Sequence, residues 1–179
     1  KNAKNERPPW VDRMRVRNHH GRWLDHSPAS VGECLDSLSG VNDRLWPHER
    51  WPPMVLDGPL AVGARGGHGP IRYTVTEYEA GRRVVFRFSA PEGFGGTHRF
   101  TVVEEKGGAR LRHAIEMSVS GPARFSWPVV FRPLHDALLE DALDKVEAHL
   151  DGEPWRTRAW SPWVKLLRGL LARRRKTKR

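Results

Sequence analysis

The chain has 179 residues, of which 38% are hydrophobic and one is cysteine, and its formal net charge is +10. A single cysteine excludes an intrachain disulfide and a cysteine-based zinc site, and the length suits one domain with extensions. No apolar run approaches the roughly 20 residues of a membrane-spanning helix, and the N-terminus lacks the apolar region of a signal peptide. We therefore expect a cytoplasmic protein.

The positive charge is confined to the C-terminal end. Residues 156–179 contain ten basic and no acidic residues, so residues 1–155 carry 21 charges of each sign and are neutral. Arguments about anionic partners consequently apply to this tail and not to the whole chain.

The first elements follow a polar N-terminal arm, residues 1–13, which prolines interrupt. Alternation in residues 14–25 predicts a strand. A Ser-Pro pair then begins a helix over residues 28–38, in which Cys34 has the spacing of a buried, inert thiol. A short helical turn is predicted over residues 42–45.

The next segment, WPHERWPPM, spans residues 46–54. Its prolines fix the backbone and hold Trp46 and Trp51 in extended conformations. We interpret the segment as a clasp that packs both indoles inward across an open end of the fold. The alternative is a catalytic role, for which His48 is the best candidate.

A period of two predicts a meander of strands between Leu60 and Val119. Short turns separate the segments, so neighbouring strands should be antiparallel. The glycine-rich residues 63–70 lack the Lys-Ser/Thr ending of a phosphate-binding loop and precede a strand, so we expect a hairpin or bulge there. The predicted strands are residues 60–66, 71–79, 82–90, 97–105 and 109–119.

The last element of the domain is a long amphipathic helix. Apolar residues from Phe131 to Leu150 recur at i, i+3, i+4 and i+7, and Gly152 and Pro154 end the helix. The apolar faces of one helix and one sheet must cover each other. We predict an α+β helix-grip fold, in which about six or seven curved antiparallel strands wrap around the helix and leave an apolar hollow for a ligand.

Two sequence stretches resemble a known superfamily. They are TEYEAGRRVVFRF and GTHRFTVVEEKGGARLRHAIEM, followed by the helix that a Trp-Pro pair precedes. They resemble the START-like helix-grip superfamily (SRPBCC), which contains polyketide cyclases/dehydrases, pollen-allergen-like carriers and lipid-transfer domains. The resemblance covers residues 14–150 and implies a ligand-binding domain without a cofactor or shared catalytic set. The matching residues are Tyr78, Arg82, Arg83, Phe86, Gly107, Gly108, Arg110, Leu111 and His113.

Three histidines are candidates for chemistry. Strand parity turns His98 and His113 towards the core, and His135 lies at the edge of the apolar stripe of the long helix. In a dry pocket they would be general acids or bases; the simpler alternative is that each is a buried structural histidine. We expect no metal, because no HxH or HExxH pair accompanies them.

Three functions are compatible with this arrangement. The first is binding of a lipid or polyketide-like molecule. The second is a cyclase/dehydrase-like enzyme in which Arg132 or Tyr73 orients a carbonyl oxygen. The third is an interaction domain with a filled core. The residues expected to line the ligand are Trp46, His48, Trp51, Tyr73, Phe86, Phe88, Phe100, Met117, Trp127, Phe131 and Arg132.

A linker, residues 151–159, leads to a basic amphipathic tail, residues 160–179, that begins with a Ser-Pro cap. Tryptophan and leucine on one face, with arginine elsewhere, suit a helix lying in an anionic membrane surface. Packing on the domain or on a partner explains the pattern equally well. We do not expect nucleic-acid binding, because contact with phosphate groups would not bury the apolar stripe. The predicted membrane residues are Trp160, Trp163, Leu167, Arg168, Arg173, Arg174 and Arg175.

Overall fold

The computed structural model describes residues 13–176, with side chains as far as residue 172. Seven antiparallel strands form one sheet in the order β1-β7-β6-β5-β4-β3-β2. The strands are β1 (Met14–Leu24), β2 (Val55–Leu56), β3 (Arg65–His68), β4 (Ile71–Glu79), β5 (Arg83–Ala90), β6 (Phe94–Glu105) and β7 (Gly108–Val119).

The helices lie before and after the meander. Helix α1 (Pro28–Asp36) begins at the N-cap Ser27, whose hydroxyl accepts the N–H of Ser30. After β7 come α2 (Ala123–Ser126), a π-helical turn (Trp127–Phe131) and α3 (Arg132–Asp151), and after a connecting segment α4 (Pro162–Lys176). The π-helical turn precedes Pro133, which has no N–H to donate to an α-helical carbonyl.

Helix α3 packs on the sheet through one apolar face, which confirms the predicted α+β helix-grip fold. Its buried residues meet the inward side chains of the strands in a single core. Burial of each such leucine or valine contributes about 1.5–3 kcal/mol, so the two apolar faces hold each other in place. The buried apolar residues of the helix are Leu138, Leu139, Ala142, Leu143 and Val146.

A row of polar contacts, here called the β1–α3 seam, joins the first strand to the same helix. Alternate residues of a strand are about 6.6 Å apart, and residues four apart in a helix are about 6 Å apart, so polar side chains at these spacings meet repeatedly. Arg22 pairs with Asp144 at 2.8 Å in this row. The seam comprises Asn18, His20 and Arg22 of β1 and Asp136, Glu140, Asp144 and Glu147 of α3.

Two local predictions are wrong. Residues 60–64 form a turn, and the strand begins only at Arg65; Gly63 there has a φ of +93°, which interrupts a strand. Residues 42–45 form no helix because the Asp43 carboxylate accepts the N–H groups of Leu45 and Trp46, a local turn that competes with helical hydrogen bonds.

Candidate functional site: a histidine and aromatic interior

The space between sheet and helix contains a continuous series of ring contacts. His98 is stacked between Phe86 and Phe88, with centroid distances of 4.7 and 4.8 Å. Tyr73 lies against the same imidazole at 4.9 Å. Inward strand residues supply these rings, as parity predicts, and side chains thus occupy the expected apolar hollow along this line.

The three predicted histidines lie together within this interior. His98 and His113 are 5% and 3% exposed, and 3.4 Å separates Nδ1 of His98 from Nε2 of His113. His135, from α3, approaches His113 with ring centroids 5.0 Å apart. The cluster therefore brings together two strands and the helix that covers them.

Burial keeps these imidazoles neutral. The pKa values of His98 and His113 lie well below the ordinary value because the imidazolium form would lose its hydration, and neighbouring histidines add repulsion. The pKa of His135 is also lowered, mainly by burial. A neutral imidazole has one donor and one acceptor nitrogen, so the cluster suits uncharged oxygen atoms better than an anion.

Several nitrogens of the cluster have no hydrogen-bond partner among the described residues. They are Nε2 of His98, Nδ1 of His113 and both ring nitrogens of His135. Buried polar atoms are normally paired, and an unpaired one costs about 1–3 kcal/mol. The interior therefore offers unused donors and acceptors surrounded by aromatic faces.

A depression of about 320 Å³ opens at the rim beside β2, β3 and β4. His68 lines it and reaches inward, where Nδ1 lies 3.1 Å from the Tyr73 hydroxyl. Burial lowers the pKa of His68 to about 3. The depression thus ends at His68, which contacts Tyr73 of the interior. Its remaining lining residues are Pro52, Pro53, Val55, Gly66, Gly67, Gly69 and Arg72.

The Trp/Pro segment, residues 46–54, is attached to α3. Nε1 of Trp51 donates to Asp141 at 2.7 Å, and Arg50 donates to the same carboxylate at 2.7 Å. Lys145 donates to the carbonyl of Trp46 at 2.8 Å. Both indoles are buried, so the segment has the geometry of a clasp.

Two predicted ligand residues lie outside the interior. The side chain of His48 is 45% exposed beside Glu49, and that of Arg132 is 60% exposed beside Asp136. Both side chains therefore lie at the surface and not in the interior, and their assignment as ligand-binding residues stays a prediction. The other predicted lining residues are buried or half-buried: Trp46, Trp51, Tyr73, Phe86, Phe88, Phe100, Met117, Trp127 and Phe131.

Helix α4 and the preceding Trp160 pack partly on the domain, and three of the predicted membrane residues are among the packed side chains. Leu167 is 7% exposed, Trp160 donates to Asp141 at 3.0 Å, and the guanidinium of Arg168 lies 4.4 Å from the Trp51 ring centre. These side chains face the protein. Trp163 remains 43% exposed, and the side chains of Arg173, Arg174 and Arg175 lie outside the described part of the chain.

Sequence reasoning missed three polar residues near this interior: His20, His68 and Asp136. His20 lies at an inward position of β1, with ring centroids 5.7 Å from His135. Strand parity alone, which puts His20 on the same face as Val16, could have identified it. The ligand atoms of His20, His135 and Asp136 all lie within 4.8 Å of one another, which makes them the residues to consider for a metal.

These observations define a helix-grip protein whose sheet and long helix enclose a histidine-rich aromatic interior. The family described as polyketide cyclase / dehydrase and lipid transport matches residues 24–151. The chain belongs to this family, as its resemblance to the SRPBCC superfamily predicts. None of the curated proteins matches the sequence, and within residues 13–176 no helix is long and apolar enough to cross a membrane.

Solved structures support the fold. A protein from Thermobifida fusca has 15% identity and a TM-score of 0.58, over 80% of this chain and 99% of that one. Protein Ms6760 from Mycobacterium smegmatis has 16% identity and a TM-score of 0.53, over 76% of this chain and 92% of that one. Ara h 8.0201 has 10% identity and a TM-score of 0.54, over 78% of this chain and all of the other.

Proposed function

We propose that the chain binds a small, uncharged, ring-containing molecule with hydroxyl or carbonyl oxygens, of the polyketide-like type. The observation that carries this proposal is the set of unpartnered nitrogens on His98 and His113, both buried among aromatic rings. Aromatic faces suit a planar apolar body, and neutral imidazoles suit its oxygens.

The same interior argues against fatty acids as the preferred ligand. A carboxylate is costly to bury without a cation, and the lowered pKa values of His98 and His113 leave those imidazoles uncharged. Entry is proposed from the rim depression past His68, whose side chain stands between that depression and Tyr73.

The experiment compares quercetin with oleate as probes for the full chain, using calorimetry and native mass spectrometry. Quercetin should bind one per chain and more tightly than oleate. His98→Phe and His113→Phe keep a ring but remove the nitrogens, and each should weaken quercetin binding about fivefold, because a net hydrogen bond contributes about 1 kcal/mol. His149→Gln, on the exposed side of α3, is the matched control.

Equal quercetin affinity in the wild type and both phenylalanine variants would contradict the proposal. If neither probe binds, the filled core instead favours an interaction domain without a small ligand. Tighter binding of oleate than of quercetin would contradict the preference for uncharged ligands.

A second candidate is catalysis of the cyclase or dehydrase type, favoured by the 3.4 Å contact between His98 and His113. Neutral imidazoles can accept a proton from an acidic C–H group of a bound polyketide. His113→Ala should then abolish turnover of an accepted polyketide. His113→Ala and His113→Phe should weaken binding of that polyketide to a similar extent. Unchanged turnover in His113→Ala would remove this candidate.

We also propose that α4 contacts an anionic membrane surface through its exposed apolar residues, of which Trp163 belongs to the predicted membrane residues. Its exposed apolar residues continue onto the π-helical turn, since Nε1 of Trp163 donates to the carbonyl of Val129 at 2.8 Å. The exposed apolar residues of α4 are Trp163, Leu166, Leu170 and Leu171, and those of α2 and the π-helical turn are Phe125 and Val129.

The test is sedimentation with vesicles of phosphatidylcholine and phosphatidylglycerol. The double substitution Leu166→Glu and Leu170→Glu should strongly reduce binding, because it places charges in the face that would enter the lipid. Val41→Glu with Val62→Glu adds the same charge at two exposed valines elsewhere and should reduce binding less. Equal losses in both variants would contradict contact through α4.

A further inference from the structure

Two residues of the β1–α3 seam, together with the adjacent His135, have the composition of a metal site. His20 comes from β1, whereas His135 and Asp136 are consecutive on α3. Two imidazoles and one carboxylate form a common ligand set for divalent first-row transition metals. The residues are brought together by tertiary packing, which explains why no local spacing in the sequence indicates them.

The distances approach those of a tetrahedral site. Nε2 of His20 lies 3.1 Å from Oδ1 of Asp136, and Nδ1 of His135 lies 3.6 Å from the same oxygen. Metal–ligand bonds of about 2.0–2.2 Å in tetrahedral geometry separate ligand atoms by about 3.3–3.5 Å. The ligand nitrogens of the two imidazoles lie within 4.8 Å of each other, so the two rings would have to approach each other to complete the site.

The surrounding contacts orient two of the three ligands. Nδ1 of His20 lies 3.0 Å from a carboxylate oxygen of Glu140 and can keep its proton as a donor to Glu140, while a bound ion would replace the proton that Nε2 directs at Asp136. Nδ2 of Asn18 donates to Asp136 at 2.8 Å. Metal-binding histidines commonly donate their second ring N–H to a carboxylate in this way.

His135 supplies an independent observation. Neither of its ring nitrogens has a hydrogen-bond partner among the described residues, although its side chain is only 16% exposed. Asp136 is 37% exposed, which leaves a path from solvent for an ion and for a water molecule as a fourth ligand. Nδ1 of this half-buried imidazole therefore faces Asp136 at 3.6 Å without a short hydrogen bond, a position from which it can coordinate an ion.

We propose that His20, His135 and Asp136 bind a divalent transition-metal ion, with Zn²⁺ as the ion that fits best. Three protein ligands leave one coordination position open, as in zinc sites that act on a bound water or ligand. The proposal is independent of the small-ligand site, although His135 contacts His113 and so joins the two regions.

The experiment uses tag-free, full-length protein that has been dialysed against a chelator. Calorimetry with ZnCl₂ and elemental analysis should give one tight ion per chain, and Co²⁺ should produce the intense visible absorption of a tetrahedral site. Asp136→Asn retains the size of the side chain and its contact with Asn18, and should weaken Zn²⁺ binding at least tenfold and remove the Co²⁺ spectrum.

The matched control is Asp151→Asn, which alters another histidine–carboxylate contact, that between His26 and Asp151 at 2.8 Å. This variant should bind Zn²⁺ as the wild type does. His20→Gln tests the second ligand, and its folding is checked by circular dichroism. Absence of Zn²⁺ binding in the wild type, or an equal Zn²⁺ affinity in Asp136→Asn, would overturn the proposal. The contacts of His20 with Asp136 and Glu140 would then be hydrogen bonds of a protonated imidazole and not part of a metal site.

Discussion

His98 illustrates at the scale of a single residue how burial decides chemistry. Phe86 and Phe88 both stack on its ring, and the residue is buried, so the ring gains aromatic packing but cannot be solvated when charged. The lowered pKa is the direct consequence of this environment. The same burial that makes the residue a suitable partner for a neutral ligand also makes the fold sensitive to acid.

We predict that the protein loses stability as the pH falls below about 6.5, the pKa of histidine in an unfolded chain. Below that value the unfolded chain binds a proton at position 98, whereas the folded protein does not until its lower pKa is reached. The free energy of unfolding should fall by about 1.4 kcal/mol per pH unit for each such histidine. In His98→Phe, the free energy of unfolding should depend less steeply on pH, by the contribution of one histidine.

The measurement is urea unfolding between pH 7.5 and 5, compared among the wild type, His98→Phe and the exposed-site control His149→Gln. The control should retain the wild-type slope. If His98→Phe also retains it, the ring of His98 must take up its proton in the folded state, which would contradict the assigned environment.

At the scale of elements, α3 is the point at which the clasp and α4 are attached. The carboxylate of Asp141 is 2% exposed and accepts from Arg50, Trp51 and Trp160. Arg168 of α4 stacks on the two indoles at 4.4 and 4.5 Å. One buried carboxylate thus connects three segments that are distant in the sequence.

Asp141→Ala is therefore expected to lower the free energy of unfolding by about 3 kcal/mol, because it leaves Arg50 and two indole N–H groups without their acceptor. The loss is measured by urea denaturation. Asp151→Ala, at the exposed end of the same helix, should cost well under 1 kcal/mol. A loss in Asp141→Ala as small as that of the control would show that the attachment contributes little to stability.

The elements of the domain were predictable to different degrees for physical reasons. Strands β4 to β7 and α3 were predictable because their apolar residues follow a simple period. The exact strand boundary near Arg65 was not, since glycine conformations decide it. The inward positions of His98 and His113 followed from parity, but the seam with Asp136 depends on tertiary packing between β1 and α3.

At the scale of the whole molecule, charge and chemistry are separated. Residues 1–155 are neutral and contain the histidine interior, whereas residues 156–179 carry ten positive charges. Cations near an anionic surface contribute about 1 kcal/mol each, so we expect the proposed membrane contact to depend on charges that lie outside the histidine interior. Membrane binding and ligand binding should consequently respond to different substitutions.

The triple variant Arg173→Gln, Arg174→Gln and Arg175→Gln tests this separation. It should weaken binding to phosphatidylglycerol vesicles by about 3 kcal/mol, roughly a hundredfold, and leave quercetin affinity unchanged. Arg15→Gln, Arg82→Gln and Arg87→Gln remove the same charge from exposed positions on β1, on the turn between β4 and β5, and on β5. If this control weakens vesicle binding equally, net charge acts without regard to position, and the tail has no special role at the surface.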